Sequence, residues 1–294
     1  MDFLKNYKLP LSAAQIKLKI AELKAAGKSY YKTDVLKQIF GLIDLTTLNS
    51  TDTLAKVEKM VEKVNKFPAM FTDMPNVAAI CVYPALVETV KTNLKDKEQG
   101  IASVAAGFPA SQTFVDVKTM ESAMAVEKGA SEVDIVISIG TFLSGAYQTV
   151  FDEIKAVKKA IGNAHLKVIL ESGVLDDPQK IWDASVIAME AGADFIKTST
   201  GKMEPAATLE AAYVMCLAIN EFHKKNNKKI GLKPAGGIST GKQAIEYYAV
   251  VHSILGKDWL NAGLFRIGAS SLANNLLSEI AALNTGAEVE VNYF

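Results

Sequence analysis

Eight short apolar runs recur along this chain at nearly even intervals. Each is apolar at both odd and even positions. They cover 41–46, 77–83, 101–106, 132–138, 166–172, 194–200, 230–236 and 264–270. A strand with one face in water alternates polar with apolar. A run apolar on both parities belongs in a parallel sheet covered on both faces. Between the runs lie segments with helical spacing, among them 53–66, 112–128, 148–161, 178–191, 204–224 and 241–255. Thr51 and Ser111 stand where N-caps are useful, and Gly129 and Gly192 where helices end. Strands alternating with helices in this way predict an α/β fold, a (β/α)8 TIM barrel of the usual size of about 250 residues. The barrel is expected over 41–283. An N-terminal helical extension over 1–40 precedes it, to cap the barrel floor or meet a partner, and a tail over 284–294 follows. The alternative, an open doubly wound sheet, lacks its early G-x-G-x-x-G loop.

Bulk properties narrow the partners. The 294 residues are 49% apolar and 22% charged, with a net charge of zero. No broad attraction to nucleic acid or to an anionic membrane is expected. No run approaches the ~18 apolar residues that span a bilayer, and the first residues show no apolar signal segment. The two cysteines, Cys81 and Cys216, read as reduced thiols. A cytoplasmic protein is expected, with a homodimer or other homo-oligomer left open.

The ends of the strands carry the chemistry, because barrel enzymes build their sites there. Strand 1 offers Asp44, Thr46 and Thr47, strand 2 Cys81, and strand 4 Asp134. Strand 6 offers Lys197, Thr200, Gly201 and Lys202, and strand 7 Lys233, Gly236, Gly237 and Ser239. Strand 8 ends on Gly268, Ser270 and Ser271. Two lysines and two carboxylates therefore fall inside apolar strands. Singly they are costly; in one barrel mouth they compensate one another. A lysine with its ordinary pKa of about 10.4 is a poor nucleophile at neutral pH. Burial and a second ammonium favour the neutral amine, which attacks an aldehyde to form an iminium, a sink for electrons. Asp134 is placed to pair with Lys233 and shuttle protons through a water, and Asp44 to orient a hydroxyl or complete the charge network. Spacing alone leaves the nucleophile open among Lys197, Lys202 and Lys233. Glycine turns after strands 6, 7 and 8, with Lys202 and the serines, read as a phosphate cradle.

The segments IDLTTL, ICVYPALV, EVDIVIS, KVILESG, DFIKTSTGK, LKPAGGIST and FRIGASSL, in that order, resemble those of the deoxyribose-phosphate aldolase family, which are class I, Schiff-base lyases. The resemblance covers nearly the whole barrel. It implies reversible cleavage of 2-deoxy-D-ribose 5-phosphate to acetaldehyde and D-glyceraldehyde 3-phosphate, with neither metal nor organic cofactor. It also implies Lys197 as the Schiff-base lysine, Lys233 as the cation beside it and Asp134 as the strand-4 aspartate. Two departures stand out. Ser239 occupies a place where members often carry arginine, and Tyr293 is the tail tyrosine that matches one able to reach the site in the family. Cys81 is expected near the mouth.

Other readings are weighed against this one. A zinc-dependent aldolase wants histidines at strand ends, whereas His165, His223 and His252 fall in helices or just before a strand. A transaldolase-like enzyme shares the lysine chemistry and differs in its donor. A sugar-phosphate binding protein has no use for paired buried lysines.

Overall fold

The computed structural model describes all residues, Met1–Phe294. Eight parallel strands form one sheet: β1 (Ile43–Thr46), β2 (Ala79–Val82), β3 (Gly100–Ala105), β4 (Glu132–Val136), β5 (His165–Ile169), β6 (Phe195–Lys197), β7 (Gly231–Lys233) and β8 (Ile267–Ala269). The order runs β7-β6-β5-β4-β3-β2-β1-β8. Bridges from Leu232 to Phe265 and from Ala235 to Gly268 close β7 onto β8. The expected barrel is therefore present, with most strands shorter than the apolar runs, while β3 and β5 begin one residue before theirs. The early start of β5 has one consequence for the histidines: His165 opens the strand rather than preceding it.

Helices surround the strands. In chain order they are α1 (Ala13–Gly27), α2 (Thr33–Phe40), α3 (Leu54–Met70), α4 (Val87–Asn93), α5 (Val115–Glu127) and α6 (Ile139–Leu143). Then come α7 (Tyr147–Ile161), α8 (Ser172–Leu175), α9 (Pro178–Glu190), α10 (Leu209–Asn226), α11 (Gly241–Leu255) and α12 (Leu272–Thr285). Side-chain caps start several of them. Thr53, Thr208 and Thr240 each accept from the backbone N–H three residues on, which satisfies an otherwise orphaned donor.

Two expected caps move. Thr53, not Thr51, caps α3. Ser111 caps nothing: it is buried with φ +56 inside a loop, and α5 begins only at Val115. The segment expected to be helical from 204 becomes helix only at Leu209, because 201–208 form the loop that rims the barrel mouth.

The N-terminal extension is helical, as expected, but α1 does not lie across the barrel floor. It packs on the outer faces of α10 and α11. Tyr30 Oη meets His252 Nδ1 at 2.7 Å and Tyr7 Oη donates to Glu190 at 2.5 Å, pinning the segment to the helical layer. The tail is equally settled. The N–H groups of Tyr293 and Phe294 donate to Asn274 Oδ1 at 2.9 and 2.8 Å, and Tyr293 Oη donates to the Lys63 carbonyl. The Phe294 ring packs on Phe40 and Phe67. Tyr293 thus sits against α3, outside the barrel mouth.

Inside the barrel, space is made by missing side chains. A Cβ at Gly231 would lie 2.2 Å from the Phe195 ring, its register partner on β6. Gly231→Ala is therefore expected to cost on the order of 1–3 kcal/mol, the usual range for overpacking. Urea unfolding checks this; an unchanged midpoint would show that the Phe195 ring has room to yield.

Candidate active site

Strand register places the charged side chains. Asp134 on β4 pairs with Lys167 on β5, and Lys197 on β6 pairs with Lys233 on β7. Two lysines directly opposite on adjacent strands repel, so their side chains need an anion between them. Asp134 supplies it. Its Oδ2 accepts from Lys197 Nζ at 2.8 Å and from Lys233 Nζ at 2.7 Å, while Oδ1 accepts from Lys167 at 3.2 Å.

A second layer lies beneath. Asp44 pairs with Lys233 at 2.5 Å and with Arg266 at 2.6 Å. Glu132 pairs with Arg266 at 2.8 Å and with Lys167. Lys167 also approaches Asp44 at 3.5 Å. All seven groups are buried.

Four cations (Lys167, Lys197, Lys233, Arg266) thus share three carboxylates (Asp44, Glu132, Asp134), leaving one positive charge in excess. An uncompensated buried charge costs several kcal/mol, or the group gives up its charge. The pairing shows which one yields. Lys167 has three carboxylates within 4 Å, Lys233 and Arg266 two each, and Lys197 only Asp134. Burial, opposed by Asp134 and reinforced by Lys233, holds the Lys197 ammonium below its ordinary pKa.

Burial works in the same direction on Lys233 and Lys167, but their carboxylates overcome it and both are raised. Burial pushes the Asp134 carboxyl up, yet Lys167, Lys197 and Lys233 together hold it well below the carboxylate range. Asp134 is therefore a fixed anion that orients ammonium groups and has little affinity for a proton of its own.

Above this lattice opens a cleft of about 340 Å³. Of the charged lattice only Lys197 lines it. Thr46 ends β1 and Asn49 lies in the loop after it, and Thr200, Gly201 and Lys202 come from the loop after β6. Gly236, Gly237 and Ser239 follow β7; Gly268 lies within β8, and Ser270 and Ser271 follow it. The structure thus brings the expected cradle residues onto one wall, opposite a single amine. Gly236 and Gly237 have φ +88 and +77, and a Cβ at Gly236 would lie 2.6 Å from Ala206. This backbone accepts glycine alone without strain.

Several expected site residues are placed elsewhere. Asp44 is fully buried under the lattice, so it completes the charge network and meets no substrate hydroxyl. Cys81 is fully buried beside Ala102 and Val104, off the cleft, and burial pushes its thiol up. It is a small core residue, not a ligand contact. The Lys202 ammonium reaches across the mouth to the Leu48 carbonyl. Asp134 and Lys233 stand behind Lys197.

Three members of the lattice were not singled out from the sequence: Glu132, Lys167 and Arg266. Glu132 shares parity with Asp134, two residues away on the same strand, which was the available signal. Lys167 and Arg266 lie within otherwise apolar runs. Glu171, at the end of β5, has φ +52 and accepts from the Thr200 N–H and Oγ1 at 3.1 and 2.6 Å. It holds the start of the glycine turn in place.

With this geometry in view, the comparisons with known proteins are direct. Residues 39–276 match the model of the DeoC/LacD family aldolases. The chain belongs to that family. It is 41% identical over 292 residues to the mouse deoxyribose-phosphate aldolase, covering 96% of this chain and 90% of the relative. It is 44% identical over 255 residues to the human deoxyribose-phosphate aldolase, covering 83% and 80%. The tetrameric deoxyribose phosphate aldolase of Aeropyrum pernix has the same fold, with a TM-score of 0.67 over 94% of this chain and all of that one, at 22% identity.

The lattice makes a stability test. Glu132→Leu leaves Arg266 and Lys167 short of a buried partner and is expected to cost about 3–5 kcal/mol. Replacing Glu132 and Arg266 together by leucine and methionine should cost clearly less than the two single changes combined. Additive losses in a double-mutant cycle would show that the pair is not coupled.

Proposed function

We propose that this protein cleaves 2-deoxy-D-ribose 5-phosphate reversibly to acetaldehyde and D-glyceraldehyde 3-phosphate through a Schiff base on Lys197. One observation carries the reading. Lys197 is the one lysine of the lattice that lines the cleft, and it is the one whose ammonium is destabilised. Family membership and the names of the mouse and human relatives support the substrate.

The steps follow from the residues. The neutral Lys197 amine adds to the aldehyde carbon, forming a C–N bond, and loss of water gives the iminium. That cation stands where the ammonium stood, so Asp134 stabilises it without rearrangement. Breaking the bond between C2 and C3 sends its electron pair into the iminium, giving an enamine. The C3 hydroxyl loses its proton and departs as the aldehyde of glyceraldehyde 3-phosphate. Protonation of the enamine carbon and hydrolysis then release acetaldehyde and restore the amine. Asp134, held ionised by three ammonium groups, is suited to fixing Lys197 and the ordered waters that carry these protons.

The glycine turns after β6, β7 and β8 receive the phosphate through their own backbone N–H groups and those at the start of α12; the first N–H groups of α11 are already taken by Gln243 Oε1 and Glu279 Oε1. Ser239 lines that cradle, where its own N–H is occupied by Gln243 Oε1. Lys233 acts as a cation locked in place by two carboxylates.

Reduction by borohydride in the presence of acetaldehyde is expected to leave a two-carbon adduct on Lys197, located by peptide mass mapping. An adduct on Lys233 would reverse the two lysine roles, and none on a folded sample would sink the Schiff-base reading. Lys197→Leu should abolish turnover while leaving the circular dichroism spectrum intact. In Lys233→Leu, Asp134 acts on Lys197 with less opposition, so the Lys197 pKa rises. The acid limb of the kcat/KM profile should then move to higher pH, with lower activity at neutrality; an unmoved limb would remove Lys233 from that role.

A further inference from the structure

A groove of about 700 Å³ adjoins the proposed catalytic cleft, with Thr46, Asn49, Ser270 and Ser271 forming their common border. It lies between α3 and α12. Lys56, Lys59 and Lys63, at helical spacing on α3, all face it, and no aspartate or glutamate side chain does. Lys56 is paired with Asp52 at 2.5 Å, whereas Lys59 and Lys63 have no carboxylate within 4 Å. The neighbouring acids on the same helix, Glu58 and Glu62, lie off the groove, and Glu62 is bonded to Lys66.

The cleft itself is poor in free positive charge. Its phosphate wall is glycine and serine, the Lys197 amine is committed to chemistry, and Lys202, held on the Leu48 carbonyl with no carboxylate within 4 Å, is its one standing cation. A phosphate dianion approaching this mouth therefore finds Lys59 and Lys63 of the groove as further unpaired cations beside Lys202.

We infer that this groove is an anion-recruiting subsite, in which Lys59 and Lys63 select phosphorylated over unphosphorylated sugar. The inference rests on the proposed aldolase reaction for its substrate, and on the groove alone for its charge. A cationic channel with low-dielectric walls raises the local concentration of an anionic substrate and its rate of capture. Because the net charge of the chain is zero, that pull is local to the groove. It acts on capture, so it appears in kcat/KM and leaves kcat alone.

The test compares the intact protein with K59Q/K63Q and with the charge-retaining K59R/K63R. Turnover of 2-deoxyribose 5-phosphate and of 2-deoxyribose is measured at low and high salt, and inorganic phosphate binding is measured by calorimetry. In K59Q/K63Q, kcat/KM for the phosphorylated sugar is expected to fall about tenfold at low salt, with kcat and the unphosphorylated sugar unchanged. Its salt dependence should shrink, phosphate should bind more weakly, and K59R/K63R should behave as the unaltered enzyme. Equal losses for both sugars, or unchanged kcat/KM and phosphate binding, overturn the inference. If the unaltered protein turns over neither sugar, the aldolase reading falls. The phosphate measurement then decides the groove by itself: weaker binding in K59Q/K63Q alone supports it, and equal binding overturns it.

Discussion

Asp134 sits where three ammonium groups converge, and much of the barrel interior is arranged around that meeting. Lys197 and Lys233 are opposite one another on adjacent parallel strands, a placement that repels unless an anion stands between them. Once Asp134 fills that role, its own surplus of cations needs carboxylates further down. Asp44 and Glu132 supply them and bring Arg266 with them. The pairing stops one charge short. The remaining excess falls on the amine with the fewest partners, which is also the one facing the cleft. The weakened hold of Lys197 on its proton is a property of the whole lattice, and it surfaces at the cleft.

The same logic separates the roles of the two layers. Below, every cation has at least two carboxylates and is stabilised in its charged form, so that layer is a rigid support. Above, the cleft walls are mostly glycine, serine, threonine and alanine. Glu171, strained into the left-handed region and bonded to Thr200, joins these layers. It fixes the loop that carries the cradle to the strand that carries Lys167.

Much of this was legible in the chain. Runs apolar on both parities fixed the number and order of strands, since only a doubly covered parallel sheet tolerates them. Lysines inside such runs pointed to Lys197, Lys233 and Asp134, and glycines after adjacent strands pointed to the cradle. What escaped has a common physical cause: it depends on depth within the barrel. Of the two roles the sequence offers Asp44, orienting a hydroxyl or completing the charge network, its depth leaves the second, and Cys81, expected near the mouth on strand 2, is covered by its neighbours. Lys167 and Arg266 lie lower on strands 5 and 8, and nothing local marks a charge there as compensated. Ser111 was read as a cap because of its type, whereas its loop turns through positive φ before α5 begins. Tail docking rests on Asn274, a contact across 19 and 20 residues that no local pattern signals.

One absent side chain ties two distant parts of the sequence together. A Cβ at Gly268 would lie 3.2 Å from the Lys233 Cε and 2.9 Å from the Ala235 Cβ. The stem of Lys233 thus runs through space that β8 leaves empty. Position 268 is therefore not free to drift under mutation while position 233 carries a long side chain. In evolutionary terms position 268 answers to two neighbours at once: a lineage that keeps the lysine at 233 or the alanine at 235 keeps the glycine.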